Sequence, residues 1–322
     1  MRSVVLLLVL SLSAAACVGE GRVEPDPLVG EQYAISQMGL EAAWETSTGD
    51  GVVIAILDSG VDLDHPDLED QLLRGKDFID GDNRPDDENG HGTHVAGIAA
   101  AATNNGVGIA GAAPDAKILP VRVLDADGLG DPVVIAEAVT WAVNNGADVI
   151  NLSLGGSSDL LGRVFNLLSP MNGAIADAVD QGVLVVAAAG NDSTFLTAYN
   201  QETPVIVVNA SNEIAIPAGF SNFGDPRAIT APGARILSTA PLDPTVIWPE
   251  GSEGYERLDG TSMAAPYVAG VGALLVAQGL TPSEVWDVLV STTKDPQGVF
   301  VLSAGLVDAE AAVEAAADMD RG

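Results

Sequence analysis

The stretch Val52-Val53-Ile54-Ala55-Ile56-Leu57 is an unbroken apolar run, and Asp58-Ser59-Gly60 closes it with a carboxylate and a turn-forming glycine. A strand covered on both faces needs apolar side chains at every position, whereas a half-exposed strand alternates. The run therefore reads as a buried strand of a parallel sheet. Comparable runs follow at 117–124, 149–154, 183–188 and 205–208. Helical patterns lie between them at 94–103, 132–144 and 173–181. A long helix of small residues is expected over 262–278, and Thr281-Pro282-Ser283-Glu284 starts another with N-cap and first-turn proline chemistry. Strands alternating with helices imply βαβ units. The expectation is α/β architecture in three layers, a mostly parallel central sheet flanked by helices. No internal linker interrupts the pattern, so one domain is expected over residues 28–316, followed by a tail at 317–322.

The composition narrows the class further. Apolar residues make up 47% of the 322, against 18% charged, too hydrophobic for a disordered chain. Only 4% is aromatic, so the core must be built from Val, Ile, Leu and Ala. No fixed repeat period is present, which excludes solenoids and collagen. Thirteen basic residues against 45 acidic ones leave a formal charge of −32. That field repels polyanions, so no nucleic-acid partner is expected.

The single cysteine, Cys17, forbids an internal disulfide, but its surroundings are informative. Met1-Arg2, an apolar run over 4–12 and Ala14-Ala15-Ala16 are the three parts of a signal peptide over residues 1–16. The run is shorter than the ~20 residues that span a bilayer. Ala14-Ala15-Ala16-Cys17 resembles the lipobox of bacterial lipoproteins, with Ala14 where a leucine is usual. That resemblance implies a lipid on Cys17 and membrane attachment through it. Ordinary cleavage after Ala16, leaving a free thiol, is the alternative. Either way the protein is expected to be exported, as a cell-envelope lipoprotein or a secreted protein, with residues 17–27 as a tether.

In open parallel sheets, functional groups gather beyond the carboxyl ends of the strands. Asp58 lies at one such exit, and Ala189-Gly190-Asn191 at another. His91-Gly92-Thr93-His94 opens a helix, and Gly260-Thr261-Ser262-Met263-Ala264-Ala265-Pro266 puts a serine at the start of another, where free N–H groups favour negative charge. Pro266 is expected within the first turn, where its missing N–H costs nothing. Taken singly, such an Asp is a turn-former and such a Ser a cap. Taken together, in this order, the blocks resemble those of the subtilisin-like serine proteases (subtilases), thermitase-type members most of all, from residue 28 onward.

The resemblance implies a serine endopeptidase acting on protein or peptide substrates. It makes Ser262 the nucleophile, His91 its base, Asp58 the residue that orients the imidazole, and Asn191 an oxyanion donor. Each role has a chemical reason: a hydroxyl needs a base, and only imidazole titrates near neutrality. His94 is expected to be structural and His65 a turn residue. Gly128-Leu129-Gly130 and Ser153-Leu154-Gly155 match the segments that pair with an extended peptide. Ala188, Ala189 and Gly190 would wall the main specificity pocket, with Asp192 at its mouth. The stretch 195–204 lacks the family's Tyr-Pro-Ala loop, and 157–172 is a longer, apolar insertion. The usual inhibitory pro-domain is also expected to be missing.

The thermitase likeness further implies two structural calcium ions. One would use Asp77, Asp80, Asp82, Asp86 and the carbonyl of Arg84, in a loop whose carboxylates are expected to repel one another without a cation. The second would join Asp26, Asp67 and Asn105 with the carbonyls of Ala102, Val107 and Ile109, tying down an N-terminal segment poor in apolar anchors. Two rival readings compete with this one. An α/β-hydrolase esterase is excluded because no G-x-S-x-G surrounds Ser262 and the order is Asp–His–Ser. A peptide-binding pseudoprotease is opposed by the intact set of catalytic residue types.

Overall fold

The computed structural model describes residues 24–154, 170–195, 199, 202–225, 227–294 and 303–319. Two short helices, α1 (Tyr33–Met38) and α2 (Leu40–Trp44), precede the sheet. The opening apolar run forms strand β1 (Val53–Asp58). Strands β2 (Lys76–Asp77), β3 (Lys117–Arg122), β4 (Val149–Leu152), β5 (Leu184–Ala188), β6 (Ile206–Ser211) and β7 (Ala228–Pro232) join it. The seven pair in the order β2-β3-β1-β4-β5-β6-β7, every pair parallel. Strands β8 (Ile236–Thr239) and β9 (Tyr255–Leu258) form a separate antiparallel pair.

Helices α3 (His91–Ala100) and α6 (Thr261–Ala277) cover one face, while α4 (Pro132–Asn144) and α5 (Pro170–Asp180) cover the other. Successive side chains of a strand point to opposite faces, and β1 divides accordingly. Ile54 and Ile56 pack with α3 and α6, and Ala55 and Leu57 with α4 and α5. This double burial is why the run had to be apolar throughout. Helices α7 (Pro282–Ser291) and α8 (Ala309–Ala317) complete the first layer. Thr281 and Glu284 form the capping box at the start of α7.

The N-terminal segment departs from expectation. It is well anchored by apolar contacts, since Ala34, Ile35, Met38, Leu40 and Ala43 are buried against the α3–α6 layer. Helices α1, α2 and α8 and strands β2 and β7 to β9 have no counterpart among the segments expected from the sequence. Cys17, Gly155 and residues 157–169 of the expected insertion lie outside the described residues.

Candidate active site

The strand exits converge as the topology requires. Asp58 ends β1, His91 is the first residue of α3, and Ser262 is the second residue of α6. Asp58 is buried, and its Oδ1 lies 2.7 Å from His91 Nδ1 while also accepting the Ser59 N–H at 2.8 Å. The other carboxylate oxygen, Oδ2, is buried without a partner among the described residues. Burial works to lower the His91 pKa, but the Asp58 carboxylate, its hydrogen bond and nearby Asp87 outweigh it. The imidazole is held above its ordinary value. Gly92 lets α3 approach β1 this closely, because a Cβ there would sit 2.1 Å from the Gly60 carbonyl oxygen.

Asp87 was missed in the sequence, where it is one acid among many. Its Oδ1 accepts from Ser59 Oγ at 2.8 Å, Asn89 N at 3.1 Å and Gly90 N at 2.8 Å. Its Oδ2 accepts from Thr93 N at 2.9 Å and Thr93 Oγ1 at 2.6 Å. The Ser59 hydroxyl in turn accepts the Gly92 N–H at 3.0 Å. One carboxylate therefore laces the exit of β1 to the first turn of α3. Burial raises the Asp87 pKa, against the pull of these hydrogen bonds.

The Ser262 side is held without charges. Ser262 Oγ donates to the Ser153 carbonyl oxygen at 3.1 Å rather than to His91. Pro266 lies in the interior of α6, the sixth helical residue rather than part of the first turn. Its missing N–H would strand the Ser262 carbonyl four residues earlier, and Ser153 Oγ donates to that oxygen at 2.8 Å instead. Asn191 Oδ1 accepts from Thr261 N at 2.9 Å and Thr261 Oγ1 at 3.0 Å. This fixes the amide so that Nδ2 is the free end. A point one Cβ bond from Gly260 would lie 3.5 Å from the Ser262 amide nitrogen and 3.6 Å from Asn191 Nδ2. The two nitrogens therefore lie close to one another at the start of α6.

Between these sides lies a cleft of about 720 Å³. Asn89, His91, Gly128, Leu129, Gly130, Ser153, Leu154, Ala188, Gly190, Asn191, Asp192 and Ser262 line it, with Leu124, Ile135 and Met171 as apolar walls. Ala189 does not line it. Strand alternation turns that residue into the α4–α5 layer, where it is buried. Tyr199, from the stretch without a recognisable loop, is buried and donates from its hydroxyl to the Leu154 carbonyl at 2.8 Å. His94 is buried, with Nε2 3.1 Å from the carbonyls of Ile236 and Glu256, and burial lowers its pKa to about 3. It is a neutral strut. His65 is more than a turn residue: it is buried, edge-on to Tyr255, with Nε2 2.9 Å from the Gly254 carbonyl.

The two acidic regions differ. Among the described residues no three His, Cys, Asp or Glu side chains form a cluster able to hold a metal. Asp77 and Asp80 pair instead with the guanidinium of Arg122 at 3.0 and 3.1 Å, and Glu88 also pairs with it. Asp86 pairs with Arg84 at 3.0 Å, and Asp82 accepts the Arg84 N–H. The expected mutual repulsion is thus relieved by arginines from within the chain. The other region does assemble. Asp26 and Asp67 are buried beside Asn105, whose Nδ2 donates to Asp67 at 2.9 Å. Burial above all, with a smaller push from nearby Asp26, raises the Asp67 carboxyl to about 6 against the hydrogen bonds it accepts. The carbonyls of Ala102, Val107 and Ile109 accept no hydrogen bond among the described residues.

The Subtilase family profile matches residues 49–308. Thermitase of Thermoactinomyces vulgaris is 41% identical over 285 residues, covering 88% of this chain and 96% of its own. An extracellular protease of Xanthomonas campestris pv. campestris is 36% identical over 340 residues, 90% of this chain and 57% of that protein. A solved structure of a protease from Pseudoalteromonas arctica superposes with a TM-score of 0.81 at 35% identity, covering 91% of this chain and 99% of its own.

Proposed function

The chain belongs to the subtilase family of serine endopeptidases, and from that membership we propose that its peptide-bond hydrolysis runs through Ser262, His91, Asp58 and Asn191. The 2.7 Å contact between Asp58 Oδ1 and His91 Nδ1 is the observation that carries the assignment. It leaves Nε2 as the imidazole atom free to take a proton. Ser262 Oγ swings from the Ser153 carbonyl toward that nitrogen, gives up its proton and bonds to the substrate carbonyl carbon. The Ser262 N–H and Asn191 Nδ2 donate to the oxygen that becomes negative. His91 then delivers the proton to the leaving amine as the C–N bond breaks, and water releases the acyl group by the same steps reversed. Loss of one oxyanion donor costs about 10²–10³ in kcat, a figure that comes from a subtilisin rather than from this geometry. Labelling with a fluorophosphonate probe tests the assignment. Wild type should react and Ser262→Ala should not; equal labelling of both would sink it.

The substrate is a protein or peptide held in extended form. Gly128, Leu129 and Gly130 on one side and Ser153 and Leu154 on the other would pair with its backbone. Ala188 and Gly190 leave the pocket open to a bulky apolar side chain, while Leu124 and Ile135, which lie against Gly130, and Met171 add apolar lining to the same cleft.

Calcium is proposed where the donors fit it. Asp26, Asp67, Asn105 and the carbonyls of Ala102, Val107 and Ile109 make six oxygen-bearing groups, within the roughly six to eight that calcium takes. When bound, the ion supplies the positive charge that two buried carboxylates lack. Asp77, Asp80, Asp82, Arg84 and Asp86 do not fit in the same way, because the carboxylates of Asp77, Asp80 and Asp86 already meet arginines. At 100 times its dissociation constant, one ion contributes about 2.7 kcal/mol, several degrees of melting temperature. Elemental analysis should find calcium, and chelation should lower Tm. Indifference to both defeats the proposal.

Export on a short tether, with Cys17 lipidated, completes the reading. The apolar run ending in Ala-Ala-Ala-Cys and the likeness to a protein named as an extracellular protease support it. A mature N-terminus at Cys17 with free thiol and amine, seen by mass spectrometry, would refute the lipid.

A further inference from the structure

We infer that Asn222 is a positioning residue for the oxyanion donor Asn191, setting the turn that aims it. The inference rests on the assignment of Asn191 given above. Asn191 is exposed, and its own side-chain oxygen touches only Thr261. Its location therefore depends on the backbone of residues 189–194. That backbone is gripped by Thr261 Oγ1, which accepts the Gly190 N–H at 3.0 Å, and by one side chain from thirty positions further along. Asn222 Nδ2 donates to the Ala189 carbonyl at 3.0 Å. Its Oδ1 accepts from Asp192 N at 2.9 Å and Thr194 N at 3.1 Å. The Asn222 backbone N–H donates to the Gly190 carbonyl at 2.8 Å. The four hydrogen bonds of Asn222 thus fall on both sides of Asn191 and none on Asn191 itself.

The chemistry requires an amide. The turn presents a carbonyl oxygen and two N–H groups to one buried side chain, which must donate at one end and accept twice at the other. Among the common side chains of this length only asparagine does both; aspartate accepts without donating and leucine does neither. The fit is also tight. Asn222 is 2% exposed, and a Cβ on Gly190 would lie 2.5 Å from its Nδ2. Gly190 has φ +100°, so that turn takes its shape only with glycine there and the amide beneath it.

The expected size follows from geometry. A displacement of about 1 Å at a reacting group costs roughly 10²-fold, and the loss cannot exceed that of removing Asn191 outright, about 10²–10³. Asn222→Ala should lower kcat roughly 10- to 100-fold on a chromogenic peptide anilide, with KM within about threefold, in a protein that still melts cooperatively. In an Asn191→Ala background the same change should cost less than about threefold, because a donor already absent cannot be misplaced. Should the alanine variant not fold, Asn222→Asp keeps both acceptor bonds and loses only the donor, and it carries the same cycle. Equal losses in the two backgrounds, or unchanged kcat in the single variant, would overturn this inference alone. An Asn191→Ala variant with wild-type kcat would overturn the oxyanion assignment and this inference with it.

Discussion

The two sides of the cleft are held by opposite means. On the Asp58–His91 side charges dominate: a buried carboxylate sits 2.7 Å from the imidazole, and a second, Asp87, laces the two backbone segments together. On the Ser262–Asn191 side every contact described is neutral, among Ser153, Thr261, Asn191 and Asn222. Charge-assisted hydrogen bonds are shorter and about twice as strong as neutral ones. The charged side therefore stands at working distance already, whereas the Ser262 hydroxyl rests on a carbonyl and must turn. The half that tunes basicity is fixed by electrostatics, and the half that meets substrate is fixed by fit.

The sharpest way to break the contrast is to remove the charge and leave the shape. Asp58→Asn should lower kcat by about 10⁴, because the amide favours the wrong imidazole tautomer. The sign for pH follows from the same contact. Asp58 raises the His91 pKa against burial, so without it burial acts with less opposition and the pKa falls. Activity needs neutral His91, so the acid limb of kcat/KM should sit above imidazole's ordinary 6.5 in wild type and move to lower pH in the variant. A limb that does not move would show that the charge is not what holds the imidazole.

Asp87→Asn asks whether lacing matters apart from Asp58. It exchanges an acceptor of five hydrogen bonds for a group that can accept only at one end. A loss of roughly tenfold in kcat is expected, less than a full 1 Å misplacement. Stopped assays on purified protein, with Tm measured alongside, check it. Wild-type kcat would confine Asp87 to folding.

On the neutral side, Ser153→Ala should act mainly on stability. It leaves the Ser262 carbonyl without the donor that Pro266 cannot supply, at about 1–3 kcal/mol. A fall of several degrees in Tm with kcat within about fivefold is expected. Pairing it with Pro266→Ala, which restores an N–H at the right place, should recover most of the stability. No recovery would mean that the hydroxyl serves another purpose.

Much of the fold was legible because double burial forces continuous apolar runs. Residues 149–154 and 183–188 could hardly be anything but inner strands. Strand β7, with Thr230 and Pro232 among five residues, lacked that signal, and β8 and β9 pair across a loop too long for a hairpin pattern. The catalytic residue types were legible because they stand at strand exits and helix starts. Asp87 and Asn222 were not, since each acts through backbone groups that are close only after folding.

The acidic loop before His91 makes the same point from the other side. In sequence it is four carboxylates against one arginine within ten residues; in the structure Arg122, from a strand about forty residues on, stands among them. The order of segments, the layer each faces and the identity of the reactive side chains are local properties, written in period and residue type. Which carboxylate meets a guanidinium, which carbonyl a proline leaves bare, and which amide holds the oxyanion turn are contacts between distant residues. No periodicity encodes those contacts; only the packing of the layers brings the partners within hydrogen-bonding distance.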